Sequence, residues 1–355
     1  MNKPVAPGNT VAEEILRQQT TILEQFPEAV IFGLGINDPK GVFGTTLGLF
    51  ERFGENRVFE TPTAENASLG LAVGLSIAGF KPIVVHQRLD FFLLAMDQLV
   101  NSAAKWRYMF GDTYKTPMII RLIVGRGWGQ GPTHSQNLHS WFTHIPGLRV
   151  FFPSSGEDFG QVFEQALHEN YPTIVIEDRW VHQLQSRVSN PCNLNQSTWT
   201  KLLVTGNDLT LLTFGFNVII GFKLVEFFRK LGVGIELIDL VALKPLDLQP
   251  VINSVNKTRK LLVVDSGFEL ASIGSYIAQV IYKSAFMILE QPIEVITSGD
   301  HPEPTSHGII KNAKINAISI ANVICKMSGI FPLPDFESLE VSTPDVPNES
   351  FYGPF

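Results

Sequence analysis

Apolar positions along the chain recur at two spacings, and the two alternate. Short apolar runs of strand length fall at 29–34, 57–60, 81–86, 118–124, 148–152 and 173–177. Between them lie segments with helical spacing at 10–24, 45–53, about 63–79, 87–105 and 156–168. In the first of these, Val11, Ile15, Leu16, Ile22 and Leu23 share one face. A polar stretch rich in Ser, Asn and Gln follows at 183–207 and reads as a linker. The alternation then resumes, with strands expected at 209–213, 234–239, 260–265 and 293–296 and helices at 218–231, 248–256, 273–286 and 311–326. Strand–helix alternation of this kind predicts parallel sheets with helices on both faces. The expected fold class is α/β with two doubly wound sheets: a first domain at 1–182, a linker at 183–207, a second domain at 208–328 and an extended Pro-rich tail at 329–355.

Composition narrows the picture. A chain of 355 residues suffices for two α/β domains with full cores, and 45% hydrophobic against 17% charged residues suits a globular protein. The net charge of −7 and the lack of a basic cluster argue against nucleic acid as a partner. No apolar run reaches the length of a membrane span, and the first ten residues lack the pattern of a signal peptide. Cys192 and Cys325 form neither a disulfide framework nor a metal pattern, which suits a reducing, cytoplasmic setting. The 26 phenylalanines fit either a Phe-rich core or a subunit interface.

The chemistry concentrates around Thr61-Pro62-Thr63-Ala64-Glu65, between a strand and a helix of small and aliphatic residues. Thr63 is placed to cap that helix, and Glu65 then falls in its first turn. Glu65 either answers the helix dipole or, in a buried helix, holds a ligand nitrogen at the sheet edge. The loop Gly33-Leu34-Gly35 lacks the spacing of a dinucleotide fingerprint. A second Gly-rich loop runs from Gly125 to Gln136 and carries Arg126, Trp128 and His134. Arg126 and Trp128 fit either a substrate entrance or an anchor for the loop. His139 and His144 follow at intervals of five, off a shared helix face, and read as ordinary polar residues; no metal site is expected in this chain.

With these residues in view, the chain resembles the β subunit of the thiamin-diphosphate-dependent 2-oxo acid dehydrogenase E1 component, in the transketolase-like superfamily. The resemblance runs from about residue 10 to 327. It rests on Thr61 to Glu65, on Gln87 with Asp97-Gln98-Leu99-Val100-Asn101-Ser102-Ala103-Ala104-Lys105, and on His134-Ser135-Gln136 leading to Pro146-Gly147-Leu148-Arg149-Val150. Ile238-Asp239-Leu240 and Lys244-Pro245-Leu246-Asp247 complete it. It implies a pyrimidine-binding domain followed by a transketolase C-terminal domain. Glu65 is then the carboxyl that hydrogen-bonds the cofactor's N1′, Gln87 a cofactor contact and Phe91 the aromatic packed on the aminopyrimidine. His134 is the histidine that assists acyl transfer. Without the resemblance Phe91 reads as a core aromatic.

The resemblance also implies partners. The diphosphate and Mg²⁺ belong on an α-type subunit with a Gly-Asp-Gly motif; here the nearest match, Gly111-Asp112-Thr113, lacks the second glycine. A second β subunit, a lipoyl-bearing E2 and a structural K⁺ are further implications. Two departures stand out. Leu34-Gly35 occupies the place of a family acidic pair, and Val241 that of an arginine. They keep open two alternatives: a transketolase-like thiamin enzyme of specialised metabolism with a small-molecule acceptor, and a non-catalytic scaffold subunit.

Overall fold

A computed structural model describes residues 9–126, 129–186, 199–306, 308–310 and 315–339. The chain divides into two compact units. Residues up to 125 and 141–188 belong to the first, and residues 126–140 with 189–350 to the second.

The first unit is a parallel sheet of β1 (Ala29–Gly33), β2 (Val58–Glu60), β3 (Lys81–His86), β4 (Met118–Val124), β5 (Arg149–Phe151) and β6 (Pro172–Asp178). The order is β5-β6-β4-β3-β1-β2. Strands β1 and β4 are buried along their whole length, as expected of strands covered on both faces. The helix Val11–Gln25 begins with a capping box between Thr10 and Glu13. It packs on the helix Gly156–His168, whose N-cap Ser155 accepts from Asp158 N at 3.3 Å.

One ion pair sits in this core. Arg121 of β4 donates to Glu177 of β6 at 2.5 and 2.8 Å, and both side chains are wholly buried. The rest of the guanidinium donates to Gln19 Oε1 and Thr45 Oγ1, each at 2.8 Å. His182 Nε2 stands 3.1 Å from the same carboxylate. The network joins the first helix, the loop after β1 and two central strands. Four of the five N–H donors of Arg121 meet acceptors, which offsets the cost of burying the charge.

The second unit holds β7 (Thr200–Val204), β8 (Leu209–Thr213), β9 (Ile235–Leu240), β10 (Ala242–Lys244), β11 (Leu261–Phe268) and β12 (Glu294–Ser298). A five-stranded sheet runs β12-β11-β8-β9-β7, parallel except for β7, which pairs antiparallel with β9. Its core includes Leu224, Phe228, Leu237, Ile320, Ile324 and Cys325. Among the described residues no helix is long and apolar enough to cross a membrane.

Several local expectations change. Residues 200–204, read as linker, form an edge strand, because a strand covered mainly on one side needs few apolar residues. Cys192 and the rest of 187–198 lie outside the described residues. The helix expected over 45–53 is only Leu49–Phe53, since Gly44 and Gly48 take φ of 82° and 73° and hold the preceding chain in turns. The expected helix at 87–105 breaks into a turn at Leu89–Phe92, a 3-10 turn at Leu93–Ala95, a widened π-type stretch at Gln98–Ala103 and a helix at Ala104–Met109. The last helix runs Ala317–Ser328. The tail is not loose where it is described: Phe336 stands 5.8 Å from the ring of Phe227, and Leu339 is buried in the second unit's core.

Candidate functional site

Three of the four expected site residues follow the ends of β2 and β3, the strands on either side of β1, at the sheet edge where open parallel sheets bind ligands. Glu60 ends β2, and five residues later the helix Glu65–Ile77 begins with Glu65 at its first position. The expected cap at Thr63 is corrected. Ala64 N donates to Pro62 O at 2.8 Å, and this tight turn moves the cap to Ala64, at φ −152° and ψ 67° with no side-chain cap. No capping side chain therefore competes with the half-buried Glu65 at this helix start.

The helix is not buried all round, contrary to expectation. Ser68, Leu69, Ala72, Val73 and Ser76 face the core, whereas Ala67, Gly74 and Ala78 are exposed and Leu71 is 44% exposed. A helix apolar on all sides announces burial without saying which surface provides it.

The loop after β1 closes on Gln87. Gly35 has φ +80°, and a Cβ there would lie 1.8 Å from Gln87 Nε2. Two residues earlier, at the end of β1, a Cβ on Gly33 would lie 2.2 Å from Val85 O. Glu60 fastens the loop by accepting from Gly35 N at 2.5 Å and Asn37 N at 3.2 Å. The absence of a side chain at 35 thus lets Gln87 lie against the backbone, and its absence at 33 leaves space for the Val85 carbonyl. Phe91 is 42% exposed, while its neighbour Phe92 is wholly buried, with its ring 4.8 Å from that of His86. The core aromatic is therefore Phe92, not Phe91. Burial pushes the His86 imidazole down to about 4.

His134 belongs to the second unit. It is half-buried, and its Nδ1 stands 3.0 Å from Thr133 Oγ1. The loop around it is pinned at both ends. Arg126 reaches Glu303 at 3.4 Å and Ile315 O at 3.0 Å, and so anchors the loop. At the other end Asn137 Nδ2 donates to Ser266 Oγ at 2.7 Å. Trp128 lies outside the described residues.

His139, expected as an ordinary polar residue, is half of a buried pair. Its Nε2 stands 2.9 Å from Asp265 Oδ1, its Nδ1 is 2.8 Å from Asn137 Oδ1, and both partners of the pair are wholly buried. Asp265 also accepts from Gly267 N at 2.7 Å and Gly274 N at 2.9 Å. Burial alone would raise the Asp265 carboxyl, but His139 and the two backbone N–H groups hold it below the usual range. Asp265 is 126 residues from His139 in sequence, so no spacing signals the pair. Gly111-Asp112 is a left-handed surface turn in which Asp112 pairs with Arg107. Among the described residues no group of three His, Cys, Asp or Glu side chains is placed to hold a metal ion.

Comparison with known proteins agrees with this architecture. The transketolase pyrimidine-binding domain matches residues 17–181, and the transketolase C-terminal domain residues 199–320. The pyruvate dehydrogenase E1 component subunit beta of Rickettsia bellii is 33% identical over 297 residues, 84% of this chain and 91% of that one. The mitochondrial counterpart from Saccharomyces cerevisiae is 34% identical, covering 83% and 82% of the two chains. The acetoin:2,6-dichlorophenolindophenol oxidoreductase subunit beta of Cupriavidus necator is 33% identical, covering 85% and 90%. A solved structure described as a split gene transketolase, inactive beta4 tetramer, shares the fold at TM-score 0.69 and 18% identity, covering 91% of this chain and 99% of its own. The chain belongs to the β-subunit family of the thiamin-diphosphate-dependent 2-oxo acid dehydrogenase E1 component, within the transketolase-like superfamily, a family that depends on thiamin diphosphate and works with an α-type partner.

Proposed function

We propose that this chain is the pyrimidine-holding subunit of an enzyme that decarboxylates a 2-oxo acid and passes the acyl group to a lipoyl or other acceptor. The observation that carries the proposal is Glu65, half-buried at a helix start, on the same sheet edge as the Gln87 amide and an exposed aromatic, Phe91. These residues fit the aminopyrimidine. Phe91 offers a flat apolar face, and Gln87, seated against Gly35, offers an amide.

When bound, thiamin diphosphate supplies a nucleophilic carbon and an electron sink for loss of CO₂. Glu65 would hold a proton at the ring's N1′, a task a carboxyl can do when it hydrogen-bonds a ring nitrogen. Gln87 and Phe91 orient the ring. His134 would hold or move a proton at the acyl-transfer end, as an imidazole with a donor and an acceptor nitrogen can. The diphosphate and its Mg²⁺ sit on the α-type partner carrying the Gly-Asp-Gly motif. A second β subunit completes the assembly, and the exposed small-residue face of the helix Glu65–Ile77 suits close packing against another subunit.

The test is Glu65→Gln in the chain co-purified with its α-type partner, assayed for CO₂ release from a panel of 2-oxo acids. Turnover is expected to fall by about 100-fold or more, with the melting temperature held. Unchanged turnover removes Glu65 from the mechanism. The chain alone is expected to bind thiamin diphosphate weakly, and tight binding without a partner refutes the shared site.

A further inference from the structure

The loop that carries His134 is rich in glycine, and Gly129 and Gly131 both take φ of 68°. A backbone this free takes its course from what it is fastened to. The fastening lies on the second sheet. There β8 stands between β9 and β11, and all three are parallel. The chain runs from β8 to β9 in one direction across the sheet and from β11 to β12 in the other. The order therefore reverses between β8 and β11, at the switch point where open parallel sheets take ligands.

Here the chain itself fills that place. Phe214 follows β8 directly, and the ring of His139 stands edge-on to it at 5.0 Å. Val263 pairs with Leu212, which puts Asp265 level with Phe214, just past the end of β8. Asp265 Oδ1 stands 2.9 Å from His139 Nε2, and both side chains are wholly buried. Across the ring, Nδ1 is 2.8 Å from Asn137 Oδ1, and the Asn137 amide donates to Ser266 Oγ at 2.7 Å. The imidazole is thus held from both nitrogens, in a circuit that starts and ends on neighbouring residues of β11. A Cβ on Gly267 would lie 2.9 Å from His139 Cε1, so the strand makes room for the ring with a glycine.

Two further contacts fix the path on either side. Ser140 Oγ accepts from Ile273 N at 3.1 Å, and Gly131 lies so close to Thr305 that a Cβ there would stand 2.4 Å from Thr305 Oγ1. His134 is three residues from Gly131 and three from Asn137. A buried charged pair adds little net stability over an apolar replacement, and its best-attested use is to select one arrangement of the chain. Catalysis depends on such selection, since a displacement of about 1 Å can cost about 100-fold in rate.

We infer that Asp265, His139 and Asn137 are positioning residues for His134, seating its loop in the switch point of the second sheet so that the imidazole acts from one place. The inference rests on the proposed acyl-transfer role of His134 for its effect on rate; the seating of the loop is a property of the chain itself.

Two measurements test it. In the first, the full chain is labelled with ¹³C at histidine Cε1, and the His134 signal is identified by its loss in His134→Gln. Asn137→Ala and His139→Gln are expected to shift or broaden that signal, while the signal of His168, in the first unit, stays in place. In the second, the chain co-purified with its α-type partner is assayed for acyl transfer to free lipoamide. Asn137→Ala is expected to lower kcat about tenfold, with KM for the 2-oxo acid held within about twofold. His139→Ala is expected to lose about 100-fold, and His139→Gln, which can still donate to Asp265, less. In a His134→Ala background these losses are expected to vanish, because a residue that acts through His134 has nothing left to position. If His139→Ala does not fold, Asn137→Ala decides, since Asn137 is half-buried and its replacement leaves the contact between His139 and Asp265 in place. An unmoved His134 signal in both variants, or a loss of rate as large in the His134→Ala background as in the wild type, overturns the inference. Failure of the acyl-transfer reading has a different signature: His134→Ala then works at the wild-type rate, or lipoamide accepts no acyl group, and the His134 signal alone decides on positioning.

Discussion

Removing either partner of the Arg121–Glu177 pair is expected to destabilise the first unit severely, while removing both is expected to cost less than either alone. Both side chains are wholly buried and joined by two hydrogen bonds. Burial works to raise the Glu177 carboxyl, but Arg121 and His182 outweigh it and hold it at about 2, against 4.5 for a free glutamate. That difference corresponds to about 3 kcal/mol, close to the roughly 3–5 kcal/mol lost when one member of a buried pair is deleted. The sign follows from the depressed value. The contribution is fully present above 4.5 and disappears as pH falls toward 2. Urea unfolding at pH 7, followed by circular dichroism, compares wild type with Arg121→Met, Glu177→Leu and the double variant. Each single variant is expected to lose about 3 kcal/mol or more, and the double to recover at least about 1 kcal/mol relative to the worse single. A double variant as unstable as the two singles summed refutes the argument, because the orphaned charge would then not be the source of the loss.

Other expectations follow from the same geometry. Gly35→Ala places a side chain at φ +80° against the Gln87 amide and is expected to cost about 1–2 kcal/mol, read from the urea midpoint, with weaker cofactor binding by the assembled complex. His86, held at about 4 by burial, resists protonation in the fold, so stability is complete above 6.5 and falls as pH drops toward 4. Replacing it with Gln is expected to flatten that part of the acid-unfolding curve; a curve of unchanged slope assigns the loss elsewhere. Asp265→Asn breaks the buried contact with His139 and is expected to lower the second unit's stability by about 3 kcal/mol at pH 7. A loss under about 1 kcal/mol means that the neutral amide replaces the carboxylate adequately.

Sequence alone determined the α/β alternation, the parallel sheets and the position of Glu65 at a helix start. Those features depend on local periodicity and on the residue types at strand and helix ends, and both are written in the order of side chains. The long apolar runs of β1 and β4 needed no tertiary information. Tertiary structure decided what depends on distant neighbours. It showed that Phe92 is the core ring and Phe91 the exposed one, that Thr200–Val204 is an edge strand, and that the helix Glu65–Ile77 leaves one apolar face uncovered. It also brought Asp265 to His139, and Glu177 and Gln19 to Arg121. Side chains meet there because adjacent strands place residues far apart in sequence a few ångströms apart in space, and no periodicity along the chain encodes that proximity.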